Sequence, residues 1–190
     1  DQVGPNVIFQ FKFDEDTGRL TPNSPARLDP GEGLGPRYYW FHPNLDIVYF
    51  SDEQGCSVTG YNLDVVTGRL AAFQTITTLP EGYTGRNTCS QIQVSPSGKF
   101  LYVPNRGHNS IAGFTVDLTN GHLTAIGHAP TESVPNAFSL DPDGKFIVAV
   151  GSASGGLSAY RIDGDTGKLT PLETFPVVQR PAGVLISDLG

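Results

Sequence analysis

The side chains able to do chemistry are few in this chain, and their spacing narrows what they can do. Four histidines, His42, His108, His122 and His128, stand singly. No His-x-x-His or Cys-x-x-Cys pair and no carboxylate cluster has the spacing of a metal site, so neither a metal nor a cofactor is expected. His42 lies in a His-Pro-Asn turn and reads as a turn residue on a rim. His122 takes a turn position held elsewhere by Arg or Lys and reads as solvated. His128 falls in an irregular connection and reads as structural. His108, two residues beyond Arg106, is the one histidine whose loop could face a substrate. Asp14, Glu15 and Asp16 form a short acidic run that reads as solvated, with a calcium ion as the alternative. Cys56 and Cys89 are too few for a disulfide framework; they read as two small buried or half-buried thiols, and a single bridge stays open. There is no Gly-x-Ser-x-Gly nucleophile elbow. Gly155-Gly156 sits between two strands with no helix to follow, unlike a phosphate-cradling loop. Asp52 and Glu53 are adjacent on a strand, where successive side chains face opposite ways, so only one of them points to a given face.

Composition bounds the classes of partner. The chain has 190 residues, the length of one domain. Its 12 basic and 19 acidic residues give a net charge of −7. That balance argues against nucleic acid, whose binders carry a basic footprint, and against an anionic membrane surface. No stretch approaches the ~18 apolar residues of a membrane helix. Apolar residues at 38% are enough for a core, which excludes wholesale disorder. With few cysteines and no visible leader, a cytoplasmic location is expected.

The elements that must position these side chains repeat. HPNLDIVYFSDEQGCSVTGYNLDVVTGRL (42–70), SPSGKFLYVPNRGHNSIAGFTVDLTNGHL (95–123) and DPDGKFIVAVGSASGGLSAYRIDGDTGKL (141–169) share one pattern, and NVIFQFKFDEDTGRL (6–20) is a truncated copy. The closing-turn glycines Gly18, Gly68, Gly121 and Gly167 lie 50, 53 and 46 residues apart. An all-β repeat of that size is a propeller blade. Phe100–Val103 and Phe146–Val150 are continuous apolar runs, as in strands buried on both faces, and Ser110–Val116 alternates. Ser97-Gly98, Asp143-Gly144 and Thr166-Gly167 read as hairpin turns. Tyr38–Phe41, Gln91–Val94 and Ala137–Leu140 add a fourth strand to each copy, and Ala182–Ile186 reads as one more inner strand. The expected architecture is all-β: a β-propeller of four-stranded antiparallel blades, about four of them visible. A single partial domain is expected, with blades at 36–85, 86–132 and 133–175 and partial blades at 1–35 and 176–190. A sandwich or jelly roll does not explain the period. Open ends would expose sheet edges, so the expectation is a piece of a longer ring or a half-ring that associates with a second copy.

GPRYYWFHPNLDIVYFSDEQGCSVTGYNLD, CSQIQVSPSGKFLYVPNRGHNSIAGFTVD and PTESVPNAFSLDPDGKFIVAVG together resemble the lactonase family of seven-bladed β-propellers, which includes propeller-type 6-phosphogluconolactonases and carboxymuconate cyclases. The resemblance runs from about Asn6 to Gly190 and corresponds to the C-terminal half of a family member. It implies a hydrolase that opens a sugar-acid lactone such as 6-phosphogluconolactone without a metal, at the mouth of the central channel. By motif position, Glu53 of Ser51-Asp52-Glu53 matches the family glutamate, and Arg37 and Arg106 match family arginines. Glu53 would then be the general base, and the two guanidiniums would grip a small anionic substrate and steady the oxyanion. Asp52 is the alternative carboxylate. His108, Tyr38, Asn136 and Arg86 are candidate substrate contacts; Tyr83 and Arg86 lie in the longest irregular stretch, 80–88. Two positions depart from the lactonase branch: Tyr38 stands where it has His, and Asn136 where it has Arg. A lactonising cyclase and a non-catalytic binding propeller are the alternatives.

Overall fold

The structure is a computed structural model that describes residues 6–187. Every regular element among them is a strand, and each sheet is antiparallel with its strands in chain order. A two-stranded hairpin, β1 (Ile8–Asp14) and β2 (Arg19–Leu28), precedes three four-stranded blades. The first blade is β3 (Pro36–Phe41), β4 (Ile47–Asp52), β5 (Ser57–Asp64) and β6 (Arg69–Thr77). The second is β7 (Gln93–Val94), β8 (Phe100–Asn105), β9 (Ser110–Val116) and β10 (Leu123–Pro130). The third is β11 (Pro135–Leu140), β12 (Phe146–Gly151), β13 (Gly156–Ile162) and β14 (Leu169–Pro176). This is part of a β-propeller, as the repeat predicts.

The continuous apolar runs are central strands whose two faces serve different cores. Successive side chains of a strand point to opposite faces. Leu101 and Val103 of β8 therefore join Tyr49, Val58 and Phe114 between the first and second blades. Phe100 and Tyr102 join Phe138, Ile147 and Tyr160 between the second and third. Each fully buried large side chain contributes about 1.5–3 kcal/mol.

Polar bolts set the blade spacing. The Tyr49 hydroxyl donates to the Gly121 carbonyl at 2.6 Å, and Tyr102 repeats this one blade on, to Gly167 at 2.8 Å. Gly121 has φ +75°, and a Cβ there would collide with Ile47. Tyr49→Phe leaves that buried carbonyl without its donor. It should lower unfolding free energy by about 1–3 kcal/mol in a urea titration, with little change in slope.

Four sequence expectations are corrected. Gln91–Val94 shortens to Gln93–Val94, because Pro104 on the partner strand has no N–H to donate; the ladder resumes only at the isolated Cys89↔Asn105 bridge. Residues 182–186 are not a strand, having no ladder partner among the described residues; the Ile186 N–H donates to Ser139 Oγ at 3.2 Å. His42 is not on an open rim but buried, its Nδ1 accepting from the N–H groups of Asn44 and Leu45. That leaves the proton on Nε2, which donates to Gly98 of the next blade at 3.0 Å. His128 lies on β10 rather than in a connection, 2.8 Å from the Thr78 carbonyl.

Candidate active site

The start of β3 and the ends of β4 and β8 bring three charged side chains to one edge of the blade junction. Arg37 is the second residue of β3, Glu53 follows β4, and Arg106 follows β8. In each blade the same backbone bond closes this corner: Glu53 N–H to Gly35 carbonyl, Arg106 to Thr88, and Ser152 to Val134. Register thus makes Glu53, Arg106 and Ser152 equivalent, and likewise Arg37, Ser90 and Asn136.

Glu53 Oε1 accepts from both arginines, from Arg37 Nη1 at 2.6 Å and from Arg106 Nη2. Arg106 Nη2 also donates to the Cys89 carbonyl at 3.1 Å, and its Nε is buried with no partner among the described residues. The exposures are 37% for Arg37, 27% for Glu53 and 16% for Arg106. Partial burial pushes the Glu53 carboxyl up, but the hydrogen bonds from Arg37 and Arg106 outweigh it and hold it below its ordinary 4.5. A pair as open as Arg37–Glu53 contributes only about 0–1 kcal/mol to folding. Two guanidiniums on one oxygen of a partly exposed carboxylate form a preorganised anion site that the chain itself occupies.

Asp52 faces the other way, as adjacent strand residues must. It is fully buried, and its Oδ2 accepts from Ser57 Oγ at 2.8 Å and Thr59 Oγ1 at 2.7 Å. Burial pushes its carboxyl up, against those two hydrogen bonds. It braces β4 against β5 and is not with the arginines.

The other candidates spread out. Tyr38 is half-exposed, its ring 5.5 Å from the Arg37 guanidinium carbon. His108 turns toward the 80–88 loop: its Nδ1 is 2.7 Å from Ser110 Oγ, and its ring meets Tyr83 at 4.9 Å and His128 at 5.6 Å. Asn136, partly buried at the start of β11, brings no third guanidinium. Arg86 is exposed, and its carbonyl accepts from the Tyr83 hydroxyl at 3.3 Å. The sequence reading missed Asn87. Its Oδ1 accepts from the Gly107 and His108 N–H groups, and its Nδ2 donates to Asn105 Oδ1 at 2.9 Å. It ties the 80–88 loop to the turn that carries Arg106. Gly107 lies so close beneath the Arg86 carbonyl that no side chain fits there.

Acid should loosen this molecule. Glu53 is joined by Asp14, Asp64, Asp117 and Asp163, which each accept backbone N–H bonds in the outer turns and are held below 3.8. Depressed carboxyls stabilise the fold above their unfolded values, and that contribution is lost as pH falls through the folded ones; Asp52, raised, works in the opposite sense. With five groups against one, thermal midpoints should fall between about pH 5 and about pH 3.

Comparison with known proteins supplies the context. Residues 2–186 match the family model described as "Lactonase, 7-bladed beta-propeller". A 6-phosphogluconolactonase of Pectobacterium carotovorum is 35% identical over 125 residues, covering 66% of this chain and 38% of that protein. A solved protein from Lactobacillus plantarum superposes with a TM-score of 0.88 at 31% identity, covering 95% of this chain and 52% of the other. The periplasmic gluconolactonase of Pseudomonas aeruginosa gives 0.85 at 26% identity, covering 94% and 53%. The chain thus spans about half the length of these solved structures, and less of the Pectobacterium protein.

Proposed function

Because the chain belongs to the seven-bladed β-propeller lactonase family, we propose that it opens a sugar-acid lactone by water attack at the Glu53–Arg37–Arg106 corner. The observation that carries this reading is the single Glu53 oxygen shared by arginines from two blades. Carbonyl attack by water needs a proton acceptor and donors aimed at the developing oxyanion. The guanidiniums are the donors. While both sit on Glu53 the carboxylate is a weak base. As the substrate's oxygens draw the arginine N–H groups away, its basicity returns beside the attacking water. Glu53 takes the water proton, the tetrahedral oxyanion forms against the arginines, and the ring C–O bond breaks. The proton then goes to the leaving alkoxide, giving the open hydroxy acid. No step in this scheme calls for a metal. A cytoplasmic setting is part of the proposal.

The test is acid release from 6-phosphogluconolactone and from unphosphorylated gluconolactone, measured against spontaneous opening in the same buffer. Faster opening of either supports the reading; a folded protein that accelerates neither defeats it. Asn136, equivalent in register to Arg37, places no guanidinium where a phosphate could be gripped. The protein should therefore prefer the phosphorylated lactone by no more than about tenfold in kcat/KM, and Asn136→Arg should raise that preference.

A further inference from the structure

Cys56 and Cys89 both occupy positions where the other blades carry something else, and both meet at the same junction. Cys56 has φ +49°, in the left-handed region; its equivalents are Asn109 at +55° and Gly155 at +69°, residue types suited to that conformation. A cysteine there costs about 1 kcal/mol or more of backbone strain. Cys89 pairs with Asn105, whereas Pro36 and Pro135 hold the equivalent place in the other two blades. Each thiol is thus a departure from the chain's own repeat, made at two places that become neighbours only in the fold.

The two sulfurs share one hydrogen-bonded cluster. Asn87 Nδ2 lies 3.4 Å from Cys56 Sγ and donates to Asn105 Oδ1, which in turn is 3.8 Å from Cys89 Sγ. Thr78 Oγ1 donates to the Cys56 carbonyl at 3.0 Å and is 3.1 Å from Cys89 Sγ. The Glu53 carbonyl accepts the Cys89 N–H at 3.1 Å and is 4.0 Å from Cys56 Sγ. Both thiols are free.

We propose that Cys56 and Cys89 are a hydroperoxide-reactive dithiol that closes to an intramolecular disulfide across the first and second blades. The chemistry divides between them. The neighbouring Cys89 thiol, more than Asn87 or the Arg106 charge, holds Cys56 below the ordinary thiol value despite its burial. The same contact and deeper burial push Cys89 up. Cys56 keeps 8% exposure where Cys89 has none, and Asn87 Nδ2 lies against its sulfur, so Cys56 is the thiol a peroxide reaches first and Cys89 the resolving thiol. Cys56 Sγ bonds to one peroxide oxygen as the O–O bond breaks; the sulfur is oxidised to sulfenic acid and the other oxygen leaves as water or alcohol. Cys89 Sγ then attacks Cys56 Sγ, the S–S bond forms, the S–O bond breaks, and the second oxygen leaves as water with the Cys89 proton. The Cys89 backbone holds Glu53 through its N–H and Arg106 through its carbonyl, so the bond closes on the charged corner itself. The proposal does not depend on lactone hydrolysis.

The test is to treat the reduced full chain with hydrogen peroxide and read intact mass, then map peptides without reductant. The chain contains no methionine, so added oxygen reports on cysteine with little background. The expected result is loss of two hydrogen atoms, a linked Cys56–Cys89 peptide pair, and reversal by dithiothreitol. Cys56→Gly, which suits the backbone at that position, should leave Cys89 unmodified. Cys89→Ser should stop at a Cys56 sulfenic acid trapped by dimedone. An unchanged wild-type mass, or oxygen added to either cysteine without a cross-link, overturns the proposal.

Discussion

Glu53→Gln should abolish lactone opening to within measurement, a fall of about 10²–10⁴-fold in kcat, with the fold intact. The amide keeps the shape of the carboxylate and still accepts a hydrogen bond, so Arg37 and Arg106 are not left facing nothing. It cannot take a proton from water. Because Arg37 and Glu53 are 37% and 27% exposed, the stability change should stay near about 1 kcal/mol. A binding-only propeller predicts altered affinity with no turnover to lose, and a purely structural trio predicts a lowered melting point. Paired assays of turnover and thermal unfolding distinguish the three.

Arg106→Ala should be the second large loss, about 10²–10³-fold in kcat/KM, the usual effect of removing one preorganised oxyanion donor. Arg106 is the more buried arginine, and it is fixed from two sides, by Glu53 and by the Cys89 carbonyl. Arg37 is more open and has no second hydrogen-bond acceptor among the described residues, so Arg37→Ala should cost less. The same change predicts a second signature. With one guanidinium gone, Glu53 loses a hydrogen bond that keeps its carboxyl low. Any residual activity of Arg106→Ala should thus fall off at a higher pH on the acid side than wild type. A pH profile of unchanged shape would remove Glu53 from the role of base. Arg106→Lys keeps the charge but not the planar fork, and should recover only part of the loss.

The propeller architecture was legible because its signals are local. Three of the four closing turns, those ending in Gly18, Gly68 and Gly167, repeat one backbone solution, an aspartate carboxylate accepting N–H groups two and three residues on; in the Gly121 turn Asp117 accepts the first of these, from Thr119. Opposite facing of Asp52 and Glu53 also follows from strand geometry alone. The three charged residues were found through family resemblance, and only the fold shows that one oxygen serves both arginines. What stayed hidden is what depends on contacts between blades. Cys56 and Cys89 belong to different blades, so their sequence separation says nothing of their meeting. Asn87 looks like any polar loop residue until Gly107 and His108 turn their N–H groups toward it. The shortening of β7 is written in Pro104, whose missing donor matters only once its partner strand is known. His42 reads as a surface turn until the next blade covers it.

The tyrosine bolts have a consequence for the charged corner that neither shows alone. Tyr49 and the Glu53–Arg106 contact join the same two blades, one out at the Gly121 turn of the outer strands and the other where the inner strands end. Two attachments at different radii make each blade a lever, with the packed core between Tyr49, Val58, Leu101 and Phe114 as its fulcrum. Tyr49→Phe, which removes the outer attachment, should therefore be read at the Glu53–Arg106 corner as well as in stability. The outer edge and the charged corner are thus two ends of one joint between blades.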